Sequence, residues 1–219
     1  MKRHYVLQLI LIMIPALLAV TFIPADVLSK PTSRSLENQT CVELLPDFII
    51  GAPNAPVSVI VYSAFTCSHC ADFHLKVLKK IEESYIKHGK IKIIIRDYPL
   101  DKISFKAALI GRIMKQEQYL AFSRRLYETQ KDWIEREDAL NFIINEAKKV
   151  GLSSDEIKRA LDNKNLENKL LDGCVAALKQ YKLDATPSII INDHVFRYAA
   201  SFEELKAQVD KAISQASRR

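Results

Sequence analysis

Residues 57–70 read VSVIVYSAFTCSHC, a β-rich run that leads into a Cys-x-x-Cys motif. The run over Val57–Tyr62 is typical of a central strand that is buried on both faces. From Cys70 onward the apolar residues recur every three or four positions, which predicts a helix. The segment therefore predicts that Cys67 lies where a buried strand gives way to the start of a helix.

The two cysteines of the motif supply both sulfurs that thiol–disulfide exchange needs. A thiolate attacks a sulfur–sulfur bond, and a second thiol resolves the mixed disulfide that forms. A helix N-terminus stabilises a thiolate through its unpaired N–H groups and its dipole, so we expect Cys67 to attack and Cys70 to resolve. Ser68 and His69 lie between them. The His69 imidazole can place a hydrogen bond or a positive charge near the thiolate.

A Cys-x-x-Cys motif has two other interpretations. It can be half of a zinc site, with His74 offered as a third ligand, or it can form a purely structural disulfide. The other cysteines, Cys41 and Cys174, stand alone, and no His-x-x-x-His follows, which argues against zinc. The context favours redox chemistry, because a strand precedes the motif and a Thr-Pro dipeptide followed by a strand comes far after it.

That dipeptide is Thr186-Pro187, and the β-rich run Ser188–Ile191 follows it. Thioredoxin-like sites place a proline, held cis, against the active-site sulfurs, and the position of Pro187 between a helix and a terminal hairpin fits this role. A proline at a strand start is otherwise an ordinary turn residue. A cis bond would leave the backbone at Thr186 free to pair with an extended substrate peptide. We expect neither a metal nor a cofactor at this site.

The remaining chain predicts an α/β order of elements. Gly89 ends the first helix, and Lys90–Asp97 predicts a second strand, which completes a strand–helix–strand unit with a parallel pair. The Asn192-Asp193 pair tolerates the positive φ values of a two-residue hairpin turn. An all-helical insertion, which has no strand-like run and no proline until after residue 171, separates two parts of one domain. The predicted ranges are 46–103 for the first part, 104–171 for the insertion and 172–219 for the second part.

The N-terminus has the pattern of an export segment. Met1–His4 is a short basic start, an apolar stretch follows, and Ala25 is a tolerable cleavage position. Because about 20 apolar residues can also span a bilayer as a helix, residues 1–25 predict either a signal peptide, which is favoured, or an uncleaved anchor. Both place the rest of the chain outside the cytoplasm. Residues 26–45 are polar and without period, which predicts a linker.

The net charge of +6 is spread along the chain. No run of five like charges and no basic stripe interleaved with aromatic residues occurs in the sequence. We therefore interpret the basic residues as solvated helix faces and expect no nucleic-acid partner.

Cys41 and Cys174 have more than one interpretation. An even number of cysteines in an exported chain permits disulfides. A Cys41–Cys174 bond, the slightly favoured interpretation, would tie the linker to the helix before Pro187. Alternatively, Cys174 is a buried helix cysteine, and Cys41 is free or bonds between chains.

Four stretches carry a family resemblance: residues 51–62 (GAPNAPVSVIVY), 65–73 (FTCSHCADF), 183–187 (LDATP) and 201–205 (SFEEL). With them the chain resembles the DsbA-like family of periplasmic thiol–disulfide oxidoreductases, from about Asp47 to Ile213. The resemblance implies a thioredoxin fold with an inserted all-helical domain that caps a groove beside the active site. It also implies that Cys67 attacks, that Cys70 resolves and that Pro187 is the cis-proline.

The resemblance further implies an activity and its partners. We expect the enzyme to donate disulfides to exported, cysteine-containing client proteins in the periplasm, and a DsbB-like membrane redox partner to reoxidise it. Three residues depart from the family pattern. Ser68 stands where proline is usual, Val61 stands where relatives often carry a buried acid, and Thr186 stands where the best-known oxidases have valine.

Threonine before the cis-proline recurs in disulfide isomerases and thioredoxins, so an isomerase or reductase of the same compartment remains an alternative. A non-catalytic exported binding protein that uses the fold as a scaffold is a third hypothesis. The in vivo redox state of Cys67 and Cys70 separates the first two hypotheses, and oxidation of a reduced model protein separates both from the third.

Overall fold

The computed structural model describes residues 45–197 and 201–218. Within these ranges the chain forms one mixed sheet, helices on both of its faces, and a group of helices inserted between the third and fourth strands. The predicted signal peptide or anchor, residues 1–25, lies outside the described residues. So do Cys41 and all of the predicted linker except Leu45.

The sheet contains five strands in the order β1-β3-β2-β4-β5. β2 lies at its centre, pairing in parallel with β3 and antiparallel with β4, while β1 and β5 form the antiparallel edges. The parallel β2–β3 pair and the antiparallel β4–β5 hairpin confirm the sequence prediction. The bounds are β1 (Phe48–Ile50), β2 (Val57–Ser63), β3 (Ile91–Asp97), β4 (Ser188–Ile191) and β5 (His194–Arg197).

The helix that follows β2 runs without a break over residues 68–86 and is here called the first helix. It alternates α-helical turns with wider π-helical ones, which the three-and-four spacing of its apolar residues did not reveal. Gly89 follows it with a φ of 65°, as expected of a residue that ends a helix. Its segments are α1 (Ser68–Asp72), a π-helical segment (Phe73–Val77), α2 (Leu78–Ile81) and a second π-helical segment (Glu82–Ile86).

The inserted helices begin two residues earlier than predicted, at Lys102, because Asp101 caps the first of them by accepting hydrogen bonds from the N–H groups of Ile103 and Ser104. One helix, α8, continues through residue 171 and so belongs to both predicted segments. The bounds are α3 (Lys102–Arg112), α4 (Gln116–Glu128), α5 (Gln130–Trp133), α6 (Ala139–Lys149), α7 (Ser154–Leu161), α8 (Lys164–Tyr181) and, after the hairpin, α9 (Phe202–Ala216).

The central strand β2 is covered on both faces, as its unbroken apolar run predicts. Val59 and Val61 face the main core, together with residues of the first helix and of α9. Tyr62 and Ile60 face the opposite side and pack in a second cluster with Ala177 of α8. Burial on both sides fixes where β2 ends and therefore where the following loop begins.

A buried ion pair joins the end of β3 to the inserted helices. Arg112 donates a hydrogen bond to the carboxylate of Asp97, and both side chains are only 4% exposed. The Tyr119 hydroxyl donates to the other carboxylate oxygen of Asp97 at 2.9 Å, and Arg112 also donates to the carbonyl of Pro46 at 2.8 Å. The neighbouring negative charge of Asp97 holds the pKa of Arg112 up against the opposing effect of burial.

We predict that Arg112→Ala lowers the free energy of unfolding by about 3–5 kcal/mol, because it leaves the Asp97 carboxylate buried without its counter-charge. Urea denaturation measures the change. The matched control is Arg136→Ala, which removes an exposed ion pair to Asp138 and has a far smaller effect. Equal, small losses for both variants would show that the buried pair does not stabilise the fold.

Candidate active site

Cys67 lies at the N-cap of the first helix, four residues after the end of β2. Its backbone is extended (φ −83°, ψ 119°), and its carbonyl accepts hydrogen bonds from the N–H groups of Cys70 and Ala71 at 3.1 and 3.2 Å. This geometry turns the first N–H groups of the helix toward the Cys67 side chain. The position at a helix start is the one that the sequence predicts.

The surroundings of Cys67 lower the pKa of its thiol from 9.0 to about 5. The largest cause is a hydrogen bond from the Cys70 side chain, and the Thr186 side chain and the backbone N–H groups of Cys70 and His69 add to it. Partial burial acts in the opposite direction but does not outweigh these donors. At neutral pH the half-buried sulfur is therefore a thiolate, the form that attacks disulfides.

Cys70 has the opposite environment. Its side chain has no exposed surface. Burial, together with the charge of Cys67, raises the pKa of its thiol far above the ordinary value, while the backbone N–H of Ala64 acts against this. Cys70 is thus held as a neutral thiol that can donate a hydrogen bond to the Cys67 thiolate. The two cysteines of the motif, which are one helical turn apart, therefore have pKa values shifted in opposite directions.

The Thr186–Pro187 peptide bond is cis and lies against Cys67. Cys67 Sγ lies 3.2 Å from the Thr186 carbonyl oxygen, to which the thiol donates when it is protonated, although the two residues are 119 positions apart. The pairing of Tyr62 in β2 with Ser188 in β4 brings the two segments together. The hydroxyl of Thr186 is buried, and among the described residues it has no hydrogen-bond partner other than the two sulfurs, whose pKa values it lowers.

Ser68 and His69 form the exposed first turn of the helix. The sequence analysis assigns the tuning of Cys67 to the His69 imidazole, and the structure differs in this detail. The backbone N–H of His69, not its ring, is among the groups that lower the pKa of Cys67. The ring is exposed to solvent. The pKa of the neighbouring Asp72 is lowered chiefly by a hydrogen bond from Lys76, and the charge of His69 adds only to this effect.

Three polar residues of the insertion hold the loop before Cys67, and the sequence analysis did not identify them. The Gln130 amide donates to the carbonyls of Phe65 and Cys67, at 2.7 and 3.0 Å. The Ser104 hydroxyl accepts from the N–H of Phe65 at 3.0 Å, and Asp101 accepts from the Thr66 hydroxyl. Only Asp101 had a sequence signal, as a capping residue before a helix.

His74 and Cys174, the other candidates from the sequence, lie away from the exposed sulfur. His74 Nε2 lies 3.0 Å from the Ser63 hydroxyl. Residues 45–197 and 201–218 contain no cluster of three or more His, Cys, Asp or Glu side chains placed to hold a metal ion. Cys174 carries a free thiol, whose pKa burial raises to about 11. The predicted bond between Cys174 and Cys41 involves a residue outside the described ranges and stays a prediction.

Comparisons with known proteins agree with this geometry. A thioredoxin family model matches residues 44–211. The probable disulfide bond formation protein D of Bacillus anthracis is 28% identical over 174 residues, which cover 76% of this chain and 78% of that protein. The disulfide bond formation protein D of Bacillus subtilis is 25% identical over 171 residues, 75% of this chain and 76% of that protein.

Solved structures give the same result for the fold. The chain is similar to alpha-DsbA1 of Wolbachia pipientis, with a TM-score of 0.72 and 28% identity over 80% of this chain and 96% of that one. It also matches the fold of BdbD from Bacillus subtilis, with a TM-score of 0.69 and 22% identity over 77% of this chain and 93% of that one. These matches confirm the predicted thioredoxin fold with its inserted helices.

We predict that the alkylation rate of the reduced protein by iodoacetamide rises with pH to a plateau, with a midpoint near the Cys67 pKa of about 5. Only the thiolate reacts, so the rate follows the ionised fraction. Cys67→Ser removes this phase, whereas Cys174→Ser leaves it in place because the Cys174 thiol is still protonated in this range. A rate that keeps rising to the pH of an ordinary thiol would contradict the electrostatics described above.

We also predict that Gln130→Leu lowers the free energy of unfolding by about 1–3 kcal/mol or more, because two buried carbonyls lose their donor. The control is Gln180→Leu, which removes an exposed amide bonded to Tyr181. Urea denaturation of both variants compares the two sites. If the variants lose equal stability, the bridge from the insertion does not hold the Cys67 loop.

Proposed function

The chain belongs to the thioredoxin family, as a DsbA-like protein-disulfide oxidoreductase, and we propose that it introduces disulfides into exported proteins through Cys67 and Cys70. The single observation that carries this proposal is the difference between the two thiols. Cys67 is acidic, with a pKa of about 5, and the pKa of its buried neighbour Cys70 is raised.

The reaction starts from the oxidised enzyme, in which Cys67 and Cys70 are bonded. A client thiolate attacks the more accessible sulfur, that of Cys67, and the Cys67–Cys70 bond breaks with the electron pair passing to Cys70. A second client thiolate then attacks the client sulfur of the mixed disulfide and releases Cys67 as a thiolate. A sulfur of low pKa is a good leaving group, so the acidity of Cys67 favours this direction.

Thr186 and Pro187 are proposed to hold the client. The Thr186 backbone lies next to Cys67, two residues before β4 begins, where an extended peptide can pair with it as an added strand. The Thr186 carbonyl oxygen, which lies 3.2 Å from Cys67 Sγ in this structure, can accept a hydrogen bond from a client N–H. Ser68 and His69, which are exposed beside Cys67, lie where they would contact the same client.

The partners follow from this chemistry. The clients are exported proteins with cysteine pairs, and the reduced enzyme needs an electron acceptor, for which we propose a DsbB-like membrane redox partner. Export to the periplasm is supported by the basic and apolar pattern of residues 1–25. None of the helices in the described ranges is both long and apolar enough to cross a membrane.

A second candidate is a disulfide isomerase or reductase of the same compartment. Thr186 favours it, because threonine stands where the best-known oxidases have valine. An isomerase works with reduced cysteines, whereas an oxidase is kept oxidised. Trapping free thiols in cells separates the two, and a Cys67–Cys70 pair found mostly reduced would reject the oxidase proposal.

We predict that the purified protein, with Cys67 and Cys70 oxidised, forms disulfides in a reduced, unfolded model protein and that Cys67→Ser abolishes this activity. Cys70→Ser retains the attacking sulfur and accumulates mixed disulfides, which non-reducing gels detect. Cys174→Ser is the control and keeps full activity. Oxidation of the model protein at the same rate by Cys67→Ser would reject the proposed centre.

A further inference from the structure

The buried position of Cys70 raises a question about protons. When the Cys67–Cys70 bond breaks, Cys70 becomes a thiolate, and when the bond forms again Cys70 must lose its proton. Its side chain has no exposed surface, so water does not reach it directly. Val61, on the strand beneath, is fully buried and cannot exchange a proton. The proton has to travel through other side chains.

Ser63, His74 and Tyr127 form a polar group beside Cys70. Ser63 directly precedes Ala64, whose backbone N–H interacts with the Cys70 sulfur. The Ser63 hydroxyl lies 3.0 Å from His74 Nε2. The imidazole stacks on the Tyr127 ring, with 4.5 Å between the ring centroids. Burial is the largest cause of the raised pKa of Tyr127. The charge of Cys70 raises this pKa further, and a hydrogen bond with the Ser63 side chain lowers it, so the Tyr127 hydroxyl interacts with both residues.

His74 also lines a groove at the protein surface. The groove lies between the first helix and α4, is open to solvent and has a volume of about 500 Å³. His74 is one of the lining residues and belongs to the first π-helical segment, four residues after Cys70. Among the described residues, His74 is thus the one aromatic residue that both forms a hydrogen bond with Ser63 and lines this groove.

We propose that Ser63 and His74 carry the proton of Cys70 to and from solvent in this groove. The inference rests on the proposed function of Cys67 and Cys70. A neutral imidazole has one N–H donor and one lone pair, and a hydroxyl has both as well, so each can accept a proton on one side and give one up on the other. Ser63 and His74 act through Cys70 and do not contact the client.

The charge state of His74 fits this role. Burial lowers its pKa to about 4, so the ring is neutral at physiological pH. The ionisable group packed on the ring is Tyr127, which burial keeps protonated. The charged groups of the groove come from the first helix and from α4 and include both signs: Lys79, Glu82, Glu83, Lys87 and Arg124.

The step to be tested is closure of the disulfide. In the mixed disulfide, Cys70 gives its proton to Ser63 and His74. The Cys70 sulfur then attacks the Cys67 sulfur with its electron pair, and the group bonded to Cys67 leaves as a thiolate. Reaction of the reduced protein with dithiobisnitrobenzoate separates two steps, because Cys67 and then Cys70 each release one coloured thiolate. A chain with Cys41→Ser and Cys174→Ser restricts the signal to this pair.

We expect His74→Ala to slow the second release by about 100-fold or more, the usual size of a proton-transfer contribution, while the first release keeps its rate. Added imidazole, which the groove can admit, should restore the second release. Ser63→Ala should slow the same step without rescue by imidazole, and it serves as the test if His74→Ala does not fold. Leu75→Ala, which changes another groove residue, is the matched control and should leave both releases unchanged.

Unchanged second releases in His74→Ala and Ser63→Ala would overturn the proposal. So would a slow second release in His74→Ala that imidazole does not restore, since a loss of packing alone has that result. Failure of the proposed Cys67–Cys70 exchange centre gives a different outcome: the unaltered chain then shows no fast first release at all.

Discussion

The structure depends on one contact, in which the start of the first helix meets the Thr186–Pro187 segment across 119 residues of chain. The sheet makes this contact possible, because β2 ends four residues before Cys67 and β4, its antiparallel neighbour, begins at Ser188, directly after Pro187. Cys67 therefore receives hydrogen bonds from two sides. The first helix supplies the largest, from the Cys70 side chain, together with backbone N–H groups, and Thr186 supplies another.

The site also needs a fixed loop before Cys67 and a buried sulfur at Cys70, and the inserted helices contribute to both. Gln130 and Ser104 occupy the backbone groups of residues 65–67 and hold the entry to the first helix. The same helices help to cover Cys70, so that one cysteine faces solvent and the other does not. Thiol–disulfide exchange in one direction needs this asymmetry, because the accessible sulfur must be the better leaving group.

Local sequence patterns predicted the parts of the site that arise from backbone geometry. The β-rich run before Cys67, the helical spacing after Cys70 and the proline at the start of a strand each indicate their structure without tertiary information. Gln130, by contrast, is one polar residue among many in a helical region, and its role arises only when the insertion folds over the loop. The π-helical turns likewise have no signal in the spacing of the apolar residues.

His69 shows a further limit of what the sequence alone can predict about the site. Its place between the cysteines suggested an effect through the ring, yet a side chain at the first turn of a helix points into solvent as readily as toward the sulfur. The structure assigns the effect to its backbone N–H, a group that every residue except proline would supply. The polar group around His74 was beyond sequence analysis as well, because Ser63 and Tyr127 lie on separate elements.

The equilibrium between the Cys67–Cys70 disulfide and glutathione, measured across pH, tests the central claim most directly. At pH 7 a thiol with a pKa of about 5 is almost fully ionised and one of pKa 9 is about 1% ionised, which favours the reduced enzyme by about 100-fold, or about 60 mV. The account predicts a constant for reduction that is flat below about pH 5 and rises about tenfold per pH unit above it. A constant that stays flat up to the pKa of an ordinary thiol would contradict it.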